Sequence, residues 1–297
     1  MACENAWMNF NWDDLRTVLA LVRGKTLAAA ALELGVNYTT VSRRIARIET
    51  AVGQPLFLRL ADGYQPTEVA HSVAKHAVDM ENAEHALSRE MQGRDKTLNG
   101  TLTVTAPQLL IAHFLAPAID QFCRENPHVT LRVRATNELL DLNRRQADLA
   151  IRISQSPGDL LKGIRLTAQS AASFATPEWA QRITDTPQAQ IDWIVYEQYS
   201  SVPQAALAGY PNSKVRLVFD DMVAMLGAAQ AGLGVVRLPM FLGRSAAGLV
   251  QVPVLPPQPY ADIWVVGHAD VWPSAKLVAF RDIILPFFKR NRDVFRG

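Results

Sequence analysis

Along the first third of the chain, apolar positions recur at intervals of three and four, the period of a helix packed along one side. Leu15, Val18, Leu19 and Val22 in "DDLRTVLALVRG" predict a helix that ends at Gly24. "TLAAAALEL" predicts a short alanine-rich helix, with Thr26 as its N-cap and Gly35 at its stop. Set at about 100° per residue, residues 38 to 53 gather Val41, Ile45, Ile48 and Val52 on one side. Thr39, Thr40, Arg43 and Arg47 fall opposite, with Arg44 on the flank. Two short β-like pieces follow, 56–60 and 64–67, around an Asp62-Gly63 turn. From 68 to 92 there is neither proline nor glycine, and Val69, Val73, Met80, Leu87 and Met91 form a stripe filled by Ala77 and Ala83. A helix of that length reaches about 37 Å at ~1.5 Å per residue.

"GRDKTLNG" (93–100) breaks this pattern and is the expected domain boundary. Beyond it strands alternate with helices. "TLTVTA", "VTLRVRA", "ADLAIRI", "GIRLTAQSAASFAT", "IDWIVYE", "SKVRLVF", "LGVVRL" and "ADIWVVGHAD" predict strands. "PQLLIAHFLAPAIDQFCREN", opened by Pro107, together with "DDMVAMLGAAQAG" and "SAKLVAFRDIILPFFKRN", predicts helices. Such alternation implies parallel sheets with helical crossovers, in which ligands gather beyond the carboxyl ends of strands.

Composition narrows the class. A chain of 297 residues accommodates about two domains at roughly 150 residues each. With 49% hydrophobic and 20% charged residues it suits a globular protein with ample core, not a disordered or fibrous one. Its apolar runs are too short to span a membrane. "MACENAWMNFNWDDLR" has no basic start and no apolar run, so export is not expected. Two cysteines, Cys3 and Cys123, suggest no disulfide framework and fit a cytoplasmic setting. Cys123, inside an apolar-periodic stretch, is expected to be a buried, inert thiol.

Against a net charge of only +2, "NYTTVSRRIARIE" (37–49) places three arginines on the polar side of one helix. Helix, short helix, tight turn and a helix with a basic outer face form the helix-turn-helix pattern, whose last helix enters a DNA major groove. Asn37, Tyr38, Thr39, Thr40 and Ser42 would lie nearest the base edges, with Arg43 reading a guanine through two hydrogen bonds. Arg44 and Arg47 would hold phosphates. A merely solvated face is the alternative, and the two preceding helices and the turn glycine argue against it. The hairpin makes the motif a winged helix, with Arg59 placed for a phosphate. The long helix has almost nothing sequence-local to pack on, so a second copy is the simplest cover. Pairing also meets a geometric need, since one head reads only a half-site.

The segment "LAAAALELGVNYTTVSRRIARIETAVGQPLFLR…PTEVA" resembles the amino-terminal domain of the LysR-type transcriptional regulators. The matching pieces are Ala28 to Ala31, Val41-Ser42-Arg43, Glu49, Val52-Gly53, Leu56-Phe57 with Arg59, and Pro66-Thr67 with Val69-Ala70. The resemblance implies DNA contacts by Ser42, Arg43 and Arg59, and a dimerisation role for the long helix; Thr67 is a further expected DNA-binding residue. Tyr38-Thr39 stands where the family often has Gln-Pro, and Val69-Ala70 where it has Ala-Gly; the first change bears on the operator read. Beyond residue 100, Phe122, Pro127, Val129, Leu131 and Val133, then 147–152 and 231–239, resemble the family's effector-binding domain.

The implied fold is α + α/β: a winged helix-turn-helix (1–67), a linker helix (68–96) and a two-lobed, periplasmic-binding-protein-like α/β domain (97–297). Lobe one is expected at 101–166 and 268–297, lobe two at 167–267. The expected effector cleft draws on Ala106, Pro107, Gln108, Asn137, Glu138, Arg152 and Ser154. From the second lobe come Ser173, Thr176, Tyr196, Asp220 and Asp221. An acidic effector is expected, from the free amides at the start of the first helix. The implied partners are double-stranded DNA, a small-molecule effector and a second copy of the chain, as homodimer or homotetramer. RNA polymerase is a further candidate partner.

No enzyme reading competes. "AGLG" precedes a strand and lacks the Lys-Ser/Thr of a phosphate loop. The histidines show no metal-type pairing, no serine sits in a nucleophile elbow, and no cofactor is expected. A solute-binding module would account for 101–297 but leave the first 92 residues without purpose.

Overall fold

Asn11, Thr26 and Asn37 open the first three helices by lending a side-chain oxygen to a first-turn amide. The acceptors take Asp13 N–H at 2.9 Å, Ala29 N–H at 3.1 Å and Thr40 N–H at 2.9 Å. These are α1 (Trp12–Gly24), α2 (Leu27–Leu34) and α3 (Tyr38–Val52) in the computed structural model. The structure describes residues 10–137, 142, 146–156, 158 and 161–297. Gly35 ends α2 at φ 66°, a conformation that suits glycine. Val41, Ile45 and Ile48 of α3 share one buried core with Leu15, Val18 and Leu19 of α1 and Ala30 and Ala31 of α2.

The hairpin of β1 (Phe57–Leu60) and β2 (Gly63–Pro66) pairs Leu60 with Gly63. Its loop is therefore Ala61-Asp62, one residue earlier than expected. The Tyr64 amide donates to the Lys25 carbonyl at 2.8 Å, so Gly63 is held in the strand by the α1–α2 corner.

Helix α4 (Glu68–Arg94) runs past the expected break, and Gly93 lies inside it. Its first turns are not bare: Ala70, Ala74 and Ala77 are buried in the core of the head. Trp12 Nε1 donates to Glu84 at 3.0 Å, and Arg23 donates through both terminal nitrogens to Glu81, at 3.0 and 2.7 Å. That hydrogen bond to Glu81 raises the Arg23 pKa above its usual value. The expected stripe therefore divides. Val69, Val73 and Ala77 pack on the head, whereas Met80, Leu87 and Met91 stay exposed. No described helix is long and apolar enough to cross a membrane.

Contacts divide the chain into two compact units between Ser88 and Arg89. In the second unit, Gly93 approaches the Asp270 carbonyl so closely that a β-carbon would lie 1.8 Å from the oxygen. Gly93→Ala should therefore destabilise this unit by about 1–3 kcal/mol, as overpacking against backbone does; chemical denaturation checks it.

Two residues on, Asp95 accepts from the Thr97 hydroxyl (2.6 Å) and amide (2.9 Å), and Lys276 lies at 3.3 Å. The Thr97 hydrogen bonds, with Lys276 behind them, pull its pKa down to about 2. A carboxylate depressed in the folded state contributes stability above its unfolded value, about 3.9. That contribution is lost as pH falls from about 4 through 2. Asp95→Asn should flatten the stability curve over that window in acid-unfolding titrations.

The described strands β3 (Gly100–Ala106), β4 (Val129–Ala135), β5 (Leu149–Ser154), β6 (Leu161–Ala175), β7 (Asp192–Tyr196), β8 (Lys214–Phe219), β9 (Val235–Pro239), β10 (Val250–Gln251) and β11 (Gln258–His268) make one mixed sheet. Two parallel groups, β4-β3-β5 and β9-β7-β8, supply the expected crossover pattern. The long antiparallel strands β6 and β11 join them. From Asp262 onward β11 pairs with β5, so the chain re-enters the first group there, earlier than the expected 267/268 boundary. Its pairing with β6 is irregular between Tyr260 and Ile263.

The helix expected from Pro107 begins as α5 (Gln108–Leu110), passes through a π-helical stretch, Ile111–Leu115, and continues as α6 (Ala116–Glu125). Cys123 is exposed, not buried. Ala118 and Phe122 face the core, and the next position lies about 100° round the helix. Helices α7 (Pro177–Asp185), α8 (Gln204–Leu207) and α10 (Met240–Ser245) lie in stretches with no predicted helix. Each is nine residues or fewer, too short for a periodic pattern to stand out. Helix α9 (Met222–Gln230) and helix α11 (Ala275–Arg290) fall where expected.

Candidate nucleic-acid and effector sites

The outer side of α3 presents Tyr38, Thr39, Ser42 and Arg43 to solvent, with Thr40 half-buried. Asn37 is already engaged: its carboxamide oxygen accepts from Thr40 N–H and from the Thr39 and Thr40 hydroxyls, at 2.9, 2.5 and 3.0 Å. It therefore orders the hydroxyls that begin the helix. The three arginines differ in partners. Arg44 donates to Asp13 at 2.6 Å, and Arg47 donates to Asp14 through Nε at 2.6 Å and again through a terminal nitrogen. Asp14 is buried, so Arg47 neutralises a carboxylate of the head's own core. The hydrogen bond to Asp14 raises the Arg47 pKa. These two arginines, expected on phosphates, are held by α1, because α1 starts with two acidic residues beside them. No carboxylate partner of Arg43 or Arg59 is found among the described residues.

Glu49 fixes the wing to the reading helix by accepting from Leu56 N–H at 2.7 Å. Thr67 is likewise structural: its hydroxyl donates to the Leu56 carbonyl at 3.0 Å and accepts from Ala70 N–H at 3.3 Å. Arg59 is exposed on β1, opposite Tyr64.

In the second unit a cleft of about 430 Å³ is lined by residues of β3, β5, β7 and β9 together with the irregular part of β11. Pro107, Asn137, Arg152 and Tyr196 line it as expected from the sequence. Thr105, Thr136, Gln155, Gln198, Tyr199, Met222, Arg237 and Tyr260 join them. Glu138 lies outside the described residues.

Other expected lining residues do different work. Ala106 is buried in the core, and Gln108 is exposed and not part of the cleft lining. Ser173 is fully buried, and its hydroxyl donates to the Val252 carbonyl at 2.7 Å and accepts from Leu255 N–H at 2.8 Å. Thr176 is a buried N-cap position of α7, Ser154 donates to the Ser156 carbonyl, and Asp221 caps α9 through Ala224 N–H at 2.8 Å. Asp220 is not in the lining.

The principal residue the sequence reading missed is Arg237, third in the strand "VVRLP". A lone cation amid apolar strand residues was the available signal. Its guanidinium lies over the Tyr260 ring at 5.6 Å, and its Nε is buried without a hydrogen-bond partner. Burial raises the Tyr260 pKa, with Tyr199 and Tyr196 adding to the rise and Arg237 opposing it.

Two family models match. "Bacterial regulatory helix-turn-helix protein, lysR family" covers residues 12–71, and "LysR substrate binding domain" covers 95–289. The chain is 30% identical over 269 residues to the HTH-type transcriptional regulator AbaB of Streptomyces antibioticus, covering 82% of this chain and 87% of the relative. It is 32% identical over 145 residues to the Mau operon transcriptional activator of Paracoccus denitrificans, spanning about half of each (49% and 51%). Among solved structures, the full-length Vibrio cholerae virulence activator AphB superposes with a TM-score of 0.60 at 18% identity, covering 93% of this chain and 99% of that one.

Proposed function

The chain belongs to the LysR family of bacterial transcriptional regulators, and from that premise we propose how its own residues divide the work. Tyr38, Thr39, Thr40, Ser42 and Arg43 read base edges in the major groove, and Arg59 on the wing holds a phosphate. The observation that carries this reading is the difference among the three arginines. Arg44 and Arg47 are committed to Asp13 and Asp14, while Arg43 stands exposed with no carboxylate partner among the described residues. Arg44 and Arg47 therefore set the angle of the reading helix, and a phosphate reaches them only in exchange for a carboxylate.

A second copy covers the exposed half of α4 and sets two heads at spaced half-sites, giving a dimer or a pair of dimers. The effector sits in the cleft of the second unit. Closing on it moves the two parallel strand groups against each other, and the linker helices pass that change to the heads. A ligand biases this equilibrium only by its differential affinity for the two arrangements. RNA polymerase is the further partner that a regulator bound upstream of a promoter would meet.

Footprinting of the DNA upstream of its own and neighbouring genes, with and without candidate metabolites, tests the reading. Two protected half-sites, whose pattern changes with one metabolite, are expected. Protection that no metabolite alters would remove the effector from the scheme.

A further inference from the structure

A second cavity, of about 200 Å³, adjoins the cleft inside the second strand group. Tyr196, Tyr199, Met222, Arg237 and Tyr260 border both spaces, so the two meet at these side chains. Trp193, Met225 and Pro239 also line the chamber. We propose that the effector is a compact aryl carboxylate, its anionic head in the cleft on Arg237 and its ring in this side chamber. The inference rests on the cleft being the effector site.

Charge selects the head. Arg237 lines both cavities, and among the described lining residues there is no carboxylate. The Arg237 Nε has been taken out of water without receiving an acceptor. A buried donor left unmade is costly, and a carboxylate oxygen is the acceptor that a guanidinium fork matches best. Shape and surface select the body. A cavity of about 150 Å³ already holds benzene, so this chamber has room for one substituted ring. Its walls of aromatic faces and thioethers favour a ring over an alkyl chain. Trp193 is fully buried and its indole N–H has no acceptor. A ring substituent bearing an oxygen would supply one.

Calorimetry on the full chain with benzoate and salicylate tests this, against benzamide (charge removed), hexanoate (ring removed) and benzylamine (charge reversed). Arg237→Gln and Ser201→Phe serve as variants. Ser201 is an exposed residue of the chamber lining, so its replacement obstructs the ring without entering the core. Both variants are checked first for unchanged thermal unfolding without ligand. The aryl carboxylates should bind, and each comparator should be weaker by about tenfold or more, as expected for loss of a charge-assisted hydrogen bond or of ring burial. Arg237→Gln should abolish the preference for benzoate over benzamide, and Ser201→Phe the preference for benzoate over hexanoate.

If neither aryl carboxylate binds at millimolar concentration, or if the comparators bind as well, the proposal is overturned. The variants show which idea has failed. Binding of another chemical class that both substitutions weaken leaves the cleft as the effector site and removes only the aryl carboxylate. A ligand indifferent to both substitutions lies elsewhere and removes the cleft reading with it.

Discussion

Replacing Leu87 and Met91 together by glutamate should convert the protein to a monomer and lower its affinity for a two-half-site operator by about 10²-fold or more. Leu87 is 59% exposed and Met91 51%, and Met80 continues the same exposed line at 42%. Within the chain these side chains cover little, so their loss removes little folding free energy. Covered by a second copy they would form the apolar seam of a helix pair, where two charges per strand cannot be buried unpaired. The large effect on DNA follows from linkage. Two heads held together bind the second half-site at high effective concentration, which enhances affinity by about 10²- to 10⁴-fold over a single head. Sedimentation velocity should show the halved mass and gel shift the lost affinity. Binding to an isolated half-site should be unchanged. A variant that remains dimeric would show that other surfaces hold the copies together.

The second large effect is expected at Arg43. A bidentate arginine–guanine contact contributes about 1–3 kcal/mol of discrimination, so Arg43→Ala should weaken operator binding about tenfold to a hundredfold per head. It should also relax preference at one base position while leaving weak binding to unrelated DNA. Arg47→Ala should behave differently. It leaves the buried Asp14 carboxylate without its donor, so the unfolding midpoint of the head falls, and base preference is kept. Arg59→Ala should weaken binding to all sequences alike and make the salt dependence shallower. Selection of preferred sites from a randomised pool, run at two salt concentrations, separates the three. If Arg43→Ala kept the full base preference, the reading head would have to be reassigned to the hydroxyl residues that precede it.

Much of this was legible in the chain because it is local. The caps at Thr26 and Gly35, the buried stripe of α3 and the length of α4 depend on residues within a turn or two of one another. Errors arose where a neighbour distant in sequence intervened. The hairpin loop shifted by one residue because Lys25 holds Tyr64, and Gly93 remained helical although its composition reads as a break. Cys123 sits in an apolar stretch of sequence, but its position on the helix is exposed.

For the sites the division is sharper. Four of the eleven described residues expected at the effector site line the cleft, chiefly those at the ends of predicted strands. Ser173 and Asp221 are polar residues at comparable positions, but a buried carbonyl and a helix cap use them first. Arg237 and Tyr260 meet across strands that are not sequence neighbours, and nothing in either stretch announces the other.

By itself, then, the order of residues determined which segments are helix or strand, which side of each is apolar, and that a basic helix crowns the first domain. Those outcomes rest on periodicity and on hydrogen bonds spanning about four positions. Only the tertiary structure decided which arginines are free to meet DNA, how far the head covers α4, and which side chains converge on the cleft. Each of these depends on groups brought together from distant parts of the chain, where packing decides whether a charge already has a partner.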